Sequence, residues 1–523
     1  MAVRCGIDLG TTYSAISWYD AYNNRADTID LETADGGKVL RSVVYYPGPG
    51  QLPVVGDAAW NAARQSPDRV VVGIKRAMGT DFATAPIDGV CHTPPQVSSE
   101  ILKTIVADAQ RYLGDEVKEV VITVPAHFGD NERAATKEAG ELAGLEVLYL
   151  LSEPQAAALA FSVEKVADIV DKHLLVYDLG GGTFDVTLVR ATLASDAGNA
   201  LNLKIDTLCK DGNAALGGLD WDRALAEIVA EKVQQAHGVD IQLDPGNEAM
   251  LLDNCERAKR HLSRTSSVSI VADAANHQVD VTVAEFEDRT HDLLLQTQLL
   301  LERVIEDAGA QHGISKGSIE VMLTGGSSKM PMVRKMVQGV LGRPPLQYKN
   351  PELLVSIGAA YWAHLLQTKS TVPVPVPTPD GGRELTPVSV GPAGIVEITA
   401  ESIGVEVLRP AGSGTWRKAN AVLIPKGATY EQEFTKEFQT SEDGMTEIPI
   451  AFYKGDAEDV AACQPLMTFT ISGLPPGRPS GQRVEVTLRY DSSGILRGNA
   501  LDVATRTVCD IVIDRTKSAP ASV

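Results

Sequence analysis

The sequence predicts an α/β domain followed by an all-β domain. Up to about residue 368, short apolar runs such as VVITVP (120–125) and HLLVYDL (173–179) alternate with amphipathic helical patterns, as a buried sheet between helices requires. Beyond residue 397, short alternating segments are separated by turn clusters such as SEDG, GLPPG and DSSG. A chain of 523 residues is also too long for a single hydrophobic core.

Two helices of the first domain carry clear start and stop signals. SSEILKTIVADAQRYLG has apolar residues along one side, a cap at Ser98 and a stop at Gly114. DNERAATKEAGELAG repeats this form with Asp130 as the cap and Gly144 after the end. We therefore expect one helix after Ser98 and a second after Asp130.

The pattern of the chain changes at Thr371. VPVPVPTPDGG (372–382) is a run of alternating prolines closed by glycines, which predicts a semi-rigid, exposed spacer. The predicted parts of the chain are an α/β domain at 1–368, a Pro/Gly-rich linker at 369–396, a β domain at 397–516 and a tail at 517–523.

Composition excludes several classes of protein. The six cysteines contain no CxxC pair and the nine histidines show no metal-ligand spacing, which argues against a disulfide framework or a zinc site. A net charge of −21 argues against a nucleic-acid partner. No apolar run reaches membrane-spanning length, and MAVRCGIDLG lacks the layout of a signal peptide. We expect a cytoplasmic protein with no membrane partner.

A glycine-rich motif occurs twice. GIDLGTTYSAIS and VYDLGGGTFDVTLV both read apolar–Asp–Leu–Gly, then threonine, then a second alternating run, so each is a candidate β-hairpin. Glycines let backbone N–H groups converge on phosphate oxygens, and Asp8 and Asp178 at the strand ends can hold Mg²⁺ through its waters. A plain hairpin turn is the better interpretation of one such motif, but two matching copies favour a phosphate site. Neither motif is a Walker loop, because the Gly-Lys-Ser/Thr ending is missing.

Two further segments are candidates for binding a nucleoside. Glu256, Lys259, Arg260 and Ser263 are spaced i, i+3, i+4 and i+7, so they share one face of a helix, which is either a solvated charged face or a grip for ribose and base. In VMLTGGSSKM (321–330), a strand ends at a glycine pair that would let a purine lie against the backbone.

Taken together, the motifs GIDLGTTYS, VITVPAHF, EPQAAALAF, DLGGGTFDV, LGGLDWD, CERAKRHLS and LTGGSSKMP resemble the successive signatures of the seventy-kilodalton heat-shock chaperone family. GLPPGRPSGQRVEVTLRYDSSGIL resembles the β-sandwich substrate-binding domain of that family. The resemblance implies an actin-like two-lobed ATPase domain, a linker, and a β-sandwich that holds extended peptides. It also implies ATP/ADP and Mg²⁺ as cofactors, K⁺ as a further candidate cation, and unfolded polypeptide segments and a nucleotide exchange factor as partners.

The resemblance assigns a catalytic set to this chain. Asp8 and Asp178 fall at the magnesium-water positions, and Thr183 matches the hydroxyl beside the γ-phosphate. Lys75 matches the lysine that positions the attacking water; without the family it would be taken for a solvated lysine. Glu153 and Asp185 match acids that order water near the metal and the nucleophile, although Glu153 alone could serve only the helix dipole.

The remaining implied positions bind the nucleotide. Together with Lys75 and Thr183, they are Gly10, Thr11, Thr12, Tyr13, Gly180, Gly181, Gly182, Gly217, Gly218, Glu256, Lys259, Arg260, Ser263, Gly325, Gly326, Ser327, Lys329 and Glu352.

The sequence departs from the family at four places. Lys329 stands where an arginine usually stacks on adenine, so we expect a modest loss of nucleotide affinity. Tyr149 stands where a basic residue meets J-domain co-chaperones, which argues against a J-domain partner. The proline run replaces the leucine-rich linker, leaving Ile395, Val396 and Ile398 as its apolar part. The sequence stops directly after the β domain, so we expect the helical lid to be missing.

In the β domain, Leu408, Phe438, Ile448 and Ile450 fall at peptide-pocket positions, with core packing as the alternative for each of them. Pro449 between the two isoleucines is unexpected, because it removes a hydrogen-bond donor from its strand. The leading hypothesis is an ATP-hydrolysing chaperone. The alternatives are a nucleotide-dependent scaffold that holds one dedicated partner and, less well supported, a sugar or acetate kinase.

Overall fold

The computed structural model describes most of the chain in two units. The first unit comprises Met1–Phe128 with Ala135–Ile395, and the second comprises Gly129–Ala134 with the chain from Val396 on. The predicted tail at 517–523 lies outside the described residues, and the predicted domain bounds stay a prediction. The described residues are 3–169, 172–195, 201–241, 245–346, 348–367, 371–378, 383–389, 394–412 and 415–512.

The helices begin and end at residues whose conformation explains their bounds. The described α-helices are α1 (Asp57–Ala62), α2 (Pro94–Leu113), α3 (Asp130–Leu142), α4 (Glu153–Ile169), α5 (Gly218–His237), α6 (Pro245–Leu262), α7 (Val283–Arg289), α8 (His291–His312), α9 (Pro331–Leu341) and α10 (Leu354–Leu365). Both predicted stops have a left-handed backbone, with φ of 68° at Gly114 and 78° at Gly144. Among the described residues, none of these helices is long and apolar enough to cross a membrane.

The predicted cap at Ser98 is wrong. Helix α2 begins four residues earlier, at Pro94, and Ser98 is buried inside it. The backbone N–H of Thr93 donates to Oε1 of Gln96 at 3.0 Å, which closes the helix start, and proline at the first helical position needs no donor. Asp130 is the first residue of α3.

Two mixed sheets of the first unit share one pattern, a hairpin beside a parallel strand. In the first sheet the order is β3–β2–β1–β8–β9, with β4 beside β2, and its strands are β1 (Val3–Asp8), β2 (Tyr13–Asp20), β3 (Arg25–Thr28), β4 (Leu40–Arg41), β8 (Val117–Val124) and β9 (Glu146–Ser152). In the second the order is β15–β10–β11–β12–β17–β16, with β18 beside β12, and its strands are β10 (His173–Leu179), β11 (Phe184–Ser195), β12 (Leu201–Asn213), β15 (Ile319–Thr324), β16 (Val372–Pro377), β17 (Arg383–Ser389) and β18 (Ile395–Val396). Hairpins β1–β2 and β10–β11 are antiparallel, and β8 and β15 run parallel to their first strands.

Two smaller sheets complete the first unit. One contains β5 (Val43–Tyr45), β6 (Val54–Val55) and β7 (Val70–Val72), and the other pairs β13 (Ser267–Val271) with β14 (Gln278–Thr282).

Helices α4 and α10 join the two large sheets through one core. A Cβ atom on Gly358 of α10 would lie 1.8 Å from the carbonyl oxygen of Ala156 in α4, and one on Gly6 of β1 would lie 2.1 Å from the nitrogen of Ala360. These backbones therefore touch without room for a side chain. The core around them contains residues of both sheets, such as Val121 and Val176. The carboxyl ends of β1 and β10 are brought to the same place as a result.

Over its described part, residues 372–378, the proline run is not an exposed spacer, and that prediction is wrong; residues 379–382 lie outside the described residues. VPVPVP forms strand β16, which pairs with β17, and Val372 and Val374 are fully buried in the same core as α4 and α10. The alternation of valine and proline has the period of a strand, so the valines lie together on one face and can be buried. The apolar residue Ile395 is buried in this core as well.

The second unit contains two four-stranded antiparallel sheets. The first has the order β20–β19–β22–β23 and the second β21–β24–β25–β26, with β19 (Ile403–Gly412), β20 (Thr415–Ile424), β21 (Phe434–Gln439), β22 (Ile448–Lys454), β23 (Gln464–Ile471), β24 (Arg483–Tyr490), β25 (Leu496–Asp502) and β26 (Val508–Val512). Residues of both sheets, including Val405 and Val486, share one core. An α/β domain followed by an all-β domain agrees with the prediction.

Candidate functional site

Two glycine turns face each other in the first unit. One follows β1 at Gly10–Thr12, and the other follows β10, where the N–H of Gly180 donates to the carbonyl of Thr183 at 3.1 Å. A Cβ atom on Gly181 would lie 1.9 Å from Oγ1 of Thr12, and one on Gly182 would lie 2.3 Å from Cγ2 of Thr11. Only glycine allows the turns to approach this closely. The repeated motif therefore builds one site from two halves of the sequence.

Four carboxylates crowd beneath these turns. Asp8 ends β1, Asp178 is the last residue but one of β10, and Glu153 begins α4. Asp185 lies opposite Asp178 in the hairpin register. Burial raises the pKa of Asp8 to about 7; the charge of Glu153 adds to the rise, while Lys75 opposes it. Burial, followed by the charges of Glu153, Asp185 and Asp8, raises the pKa of Asp178 well above its usual value. The cluster therefore has an excess of negative charge and favours a bound cation.

Oxygen donors of this kind suit Mg²⁺. Among the described residues, no group of three or more His, Cys, Asp and Glu side chains is placed to hold a metal ion directly. Asp8, which is half-buried, and the buried Asp178 supply such oxygen donors.

A buried lysine compensates part of this charge. Lys75 lies in a 3-10 turn, Ile74–Ala77, and its side chain is 7% exposed. Its Nζ donates to Oε1 of Glu153 at 2.5 Å and lies 5.8 Å from the centre of the Phe128 ring. Sequence patterns alone give no reason to expect a lysine here, because Glu153 is 78 residues away in the chain.

Helix α6 closes the opposite end of the site. Oε1 of Glu256 accepts a hydrogen bond from the Tyr13 hydroxyl at 2.9 Å, and Oε2 accepts one from Nη1 of Arg41 at 2.9 Å. Nη2 of Arg260 donates to the Tyr13 hydroxyl at 3.0 Å. The predicted helix face is therefore held to the first glycine turn, and Arg41 is a contact that sequence analysis missed.

Two lysines at this end are paired with acids. Nζ of Lys259 lies 2.8 Å from Oδ1 of Asp222 and donates to the carbonyl of Gly218 at 2.7 Å. Nζ of Lys329 lies 2.7 Å from Oε2 of Glu352. Asp222 was also missed, since it lies on another helix and no spacing within one element could indicate the pair.

These elements enclose a cavity of about 500 Å³, a size typical of small-molecule sites. The predicted residues in its wall are Asp8, Gly10, Thr11, Thr12, Tyr13, Lys75, Glu153, Asp178, Gly180, Gly181, Thr183, Gly218, Glu256, Lys259, Arg260, Ser263, Gly325, Gly326, Ser327, Lys329 and Glu352. Other wall residues, which were not predicted, are Ala15, Val39, Leu219, Asp222, Arg264, Met330, Pro351 and Val355.

Three predicted residues lie behind the cavity wall. Gly182 and Gly217 pack against each other, since a Cβ atom on Gly217 would lie 2.6 Å from the nitrogen of Gly182. The carbonyl of Gly182 also accepts a hydrogen bond from Nε of Arg76 at 2.8 Å. Asp185 is 1% exposed and contacts His127. These residues support the turn and the acid cluster from behind.

The predicted peptide-pocket residues do not share one surface. Ile448 and Ile450 are buried in the core of the second unit, whereas Leu408 is 45% exposed and Phe438 is half-buried. Pro449, between the isoleucines, is exposed. For the two isoleucines this geometry favours the core alternative, and peptide binding by the set stays a prediction.

Tyr149 is a core residue. Its side chain is 8% exposed on β9, and its ring packs edge-on against Trp362 of α10, with centroids 5.5 Å apart. A partner protein would meet little of this side chain at the surface.

Comparison with known proteins gives consistent matches. The family model described as Hsp70 protein matches residues 4–92 and 83–522. The chain is 34% identical over 508 residues to "Chaperone protein DnaK" of Thermosipho africanus (strain TCF52B), an alignment that covers 96% of this chain and 78% of that protein. It is also 34% identical over 511 residues to the proteins of the same name from Thermotoga neapolitana and Thermotoga maritima, with the same coverage.

Proposed function

This chain belongs to the Hsp70 protein family and is a chaperone of the Hsp70 type, and from its site we propose that it binds and hydrolyses ATP with Mg²⁺. The resemblance inferred from the motifs is thus confirmed. Members of the family are ATPases that bind unfolded polypeptides and co-chaperones. The same activity, cofactors and partners in this chain are our proposal.

One observation carries the proposal: two glycine turns face each other above a buried acid cluster that holds a lysine. Both turns line the cavity, and backbone N–H groups of such glycine turns can donate to phosphate oxygens. The contact between Gly181 and Thr12 fixes the distance between the two sets of donors. A phosphate chain held by both turns would extend toward Lys75 and the acids.

In the hydrolysis that we propose, each residue of the cluster has a different role. The Nζ of Lys75, held by Glu153, keeps a positive charge beside the γ-phosphate and orients the attacking water. Thr183 lines the cavity and can donate its hydroxyl to the same phosphate. Asp8 and Asp178 would accept hydrogen bonds from the waters of Mg²⁺, which when bound supplies neutralisation of the phosphate charge.

At the other end, the polar residues of α6 would hold the nucleoside. The face Glu256, Lys259, Arg260 and Ser263 lines the cavity together with the loop at Gly325–Lys329. Lys329 already pairs with Glu352, so stacking of Lys329 on adenine would compete with this ion pair. A modest loss of nucleotide affinity follows from that competition.

We also propose an actin-like two-lobed architecture for the first unit and a β-sandwich that holds extended peptides for the second. The repeated hairpin-plus-parallel-strand pattern of the two large sheets supports the first assignment. Two sheets that share one core support the second. The exposed Leu408 is the strongest of the predicted peptide contacts, because its side chain is free to meet a ligand.

ATP turnover with and without an unfolded peptide tests this function. We expect Mg²⁺-dependent release of phosphate from the purified chain and binding of a labelled apolar peptide. Leu408→Ser should weaken peptide binding, whereas Leu385→Ser should not, since Leu385 lies outside the second unit and is the more exposed of the two leucines, at 68% against 45%. A chain that binds neither ATP nor peptide would contradict the proposal.

A nucleotide-dependent scaffold is the second candidate, and one observation favours it. Valines of the β16–β17 hairpin are buried in the core that also contains Tyr149, an arrangement that suits a fixed linker more than a mobile one. Affinity capture from a lysate separates the two functions, because a chaperone would retain many unrelated proteins and a scaffold one dedicated partner.

A further inference from the structure

A histidine lies directly against the acid cluster. His127 follows β8, and its Nδ1 lies 2.9 Å from Oδ1 of Asp185, the acid opposite Asp178 in the β10–β11 hairpin. The side chain of Asp185 is 1% exposed and that of His127 is 18% exposed. The pair is therefore largely shielded from water, where a charged hydrogen bond is stronger than at the surface.

The surroundings of the pair are closely packed. A Cβ atom on Gly212 of β12 would lie 2.8 Å from Oδ1 of Asp185 and 3.4 Å from Nδ1 of His127. The ring of His127 meets the ring of Phe128 edge-on, with centroids 5.5 Å apart. Its Nε2 is buried and has no hydrogen-bond partner among the described residues. The backbone of Gly212 thus packs against both the imidazole and the carboxylate of Asp185.

The charges around His127 favour its protonated form. Burial alone would lower the pKa of the imidazole, but the charge and hydrogen bond of Asp185, followed by the charge of Glu153, raise it above its usual value. Lys75 acts in the opposite direction. Two basic side chains thus lie against the acid cluster, Lys75 at Glu153 and His127 at Asp185.

We propose that His127 is a positioning residue for ATP hydrolysis, whose imidazolium holds one oxygen of Asp185 and keeps this carboxylate in a single orientation beside Asp178. The inference rests on the proposed function. His127 is absent from the cavity wall, so it acts through Asp185 and does not touch the nucleotide. The sequence alone indicates no role for His127, although the residue stands within the motif VITVPAHF.

Two substitutions separate the charge from the hydrogen bond. His127→Asn retains an N–H donor near the position of Nδ1 but has no charge, and His127→Leu removes both. Single-turnover hydrolysis should fall about tenfold in His127→Leu, the order expected for the loss of one hydrogen bond to a charged group. The fall should be smaller in His127→Asn. His291→Asn, at the exposed start of α8, is the matched control and should leave turnover unchanged.

The pH dependence of ATP turnover distinguishes a role of the His127 charge from a merely structural role, which would leave that dependence unchanged. In the unmodified chain, turnover should decrease as pH rises through the raised pKa of His127, because the neutral imidazole no longer balances the acids. His127→Asn should lack this step. ADP affinity should stay within about twofold in all variants, because the residue lies outside the cavity wall. Equal turnover and an identical pH profile in His127→Asn would overturn the proposal.

A titration followed by NMR tests the pair independently of activity. In the full chain labelled at histidine ring carbons, the His127 signal, identified by its loss in His127→Asn, should titrate above pH 6.5. It should shift downward by a unit or more in Asp185→Asn, the order expected when a close opposite charge is removed. If the unmodified chain binds ADP but never hydrolyses ATP, the proposed function fails, and the titration still decides whether the charged pair exists. A pKa of 6.5 or below that Asp185→Asn leaves unchanged would refute the pair.

Discussion

The Nζ of Lys75 lies 2.5 Å from Oε1 of Glu153, although the two residues are 78 positions apart in the chain. The 3-10 turn that contains Lys75 and the first residue of α4 therefore meet at the acid cluster. Because Lys75 is buried, its ammonium group contacts this carboxylate in place of water, and it can contact the ligand that enters the cavity. Its charge is held in place before any nucleotide binds.

Lys75→Ala should leave nucleotide binding largely intact and slow hydrolysis by about a hundredfold or more, because a charge that stabilises the transition state is lost. Single-turnover phosphate release measures this effect, and nucleotide affinity is measured alongside it. Lys103→Ala, an exposed lysine on α2, is the control and should behave like the unmodified chain. Unchanged turnover in Lys75→Ala would remove this residue from the mechanism.

Asp178→Asn should weaken binding of Mg·ATP far more than binding of metal-free ATP. The substitution removes a carboxylate that would accept hydrogen bonds from metal-bound waters, while the glycine turns that contact phosphate remain. Calorimetric titrations with and without Mg²⁺ measure the two affinities. An equal loss in both titrations would assign Asp178 a structural role only.

The unliganded protein should lose stability as pH rises from about 5 to 8. Burial raises the pKa of Asp8 to about 7, so the folded state binds this proton across a range in which the unfolded chain has released it. A group that binds protons more tightly in the folded state stabilises that state at low pH, and the stabilisation is lost as pH rises through the raised value.

Asp8→Asn should flatten this dependence, since the amide is neutral at every pH. Melting temperatures at pH 5.5 and 7.5, without nucleotide or metal, check the prediction. Asp115→Asn, at an exposed position after α2, is the control and should keep the slope of the unmodified chain. The same slope in Asp8→Asn would show that the proton is not taken up at this residue.

Tyr149→Arg should destabilise the fold by more than about 2 kcal/mol and should not create stimulation by a generic J-domain protein. The side chain packs on Trp362 in the core, so an arginine would bury an unpaired charge. Chemical denaturation measures the loss, and Tyr112→Arg, at a 54% exposed position, should be nearly neutral. Strong J-domain stimulation of the unmodified ATPase would contradict our interpretation of Tyr149.

Val374→Asp should lower the melting temperature clearly, whereas Leu385→Asp in the same hairpin should change it little. Val374 is fully buried against the core of the first unit, and Leu385 is 68% exposed. Burial of an unpaired carboxylate costs several kcal/mol, since a buried polar group without a partner costs about 2–7 kcal/mol. Alternatively, the pKa of the carboxyl group rises and the group is buried in its neutral form. Equal melting temperatures in the two variants would show that residues 372–377 form the exposed spacer that the sequence suggests.

The facing turns of the site could be predicted because each carries its signal within a dozen residues. Gly181 and Thr12 belong to local motifs whose repetition is visible in the sequence. Arg41, Asp222 and His127 could not be found in this way, since each meets its partner through chain folding and the types of side chain alone are common. Lys75 was found by family resemblance, and its contact with Glu153 supplies a physical reason for its burial.

The proline run shows where composition misleads. Alternating prolines are typical of extended spacers, but alternation also places every valine on one face. Val372 and Val374 find an apolar surface on α4 and are buried, so burial decides the structure. Ile448 and Ile450 are buried in the core of the second unit for the same reason, since alternate apolar residues on a strand point to the same side.

The position of β16 also affects how the protein behaves at high concentration. This strand is the outermost member of the second large sheet, and open sheet edges invite strands of other chains to pair and aggregate. Pro373 and Pro375 alternate with the valines. Successive residues of a strand present their N–H groups to opposite edges of the strand. The edge of β16 that faces away from β17 therefore lacks donors at the two prolines, while the other edge pairs with β17. The hairpin therefore gives this side of the sheet an edge without donors at Pro373 and Pro375, which disfavours pairing with exposed strands of other chains.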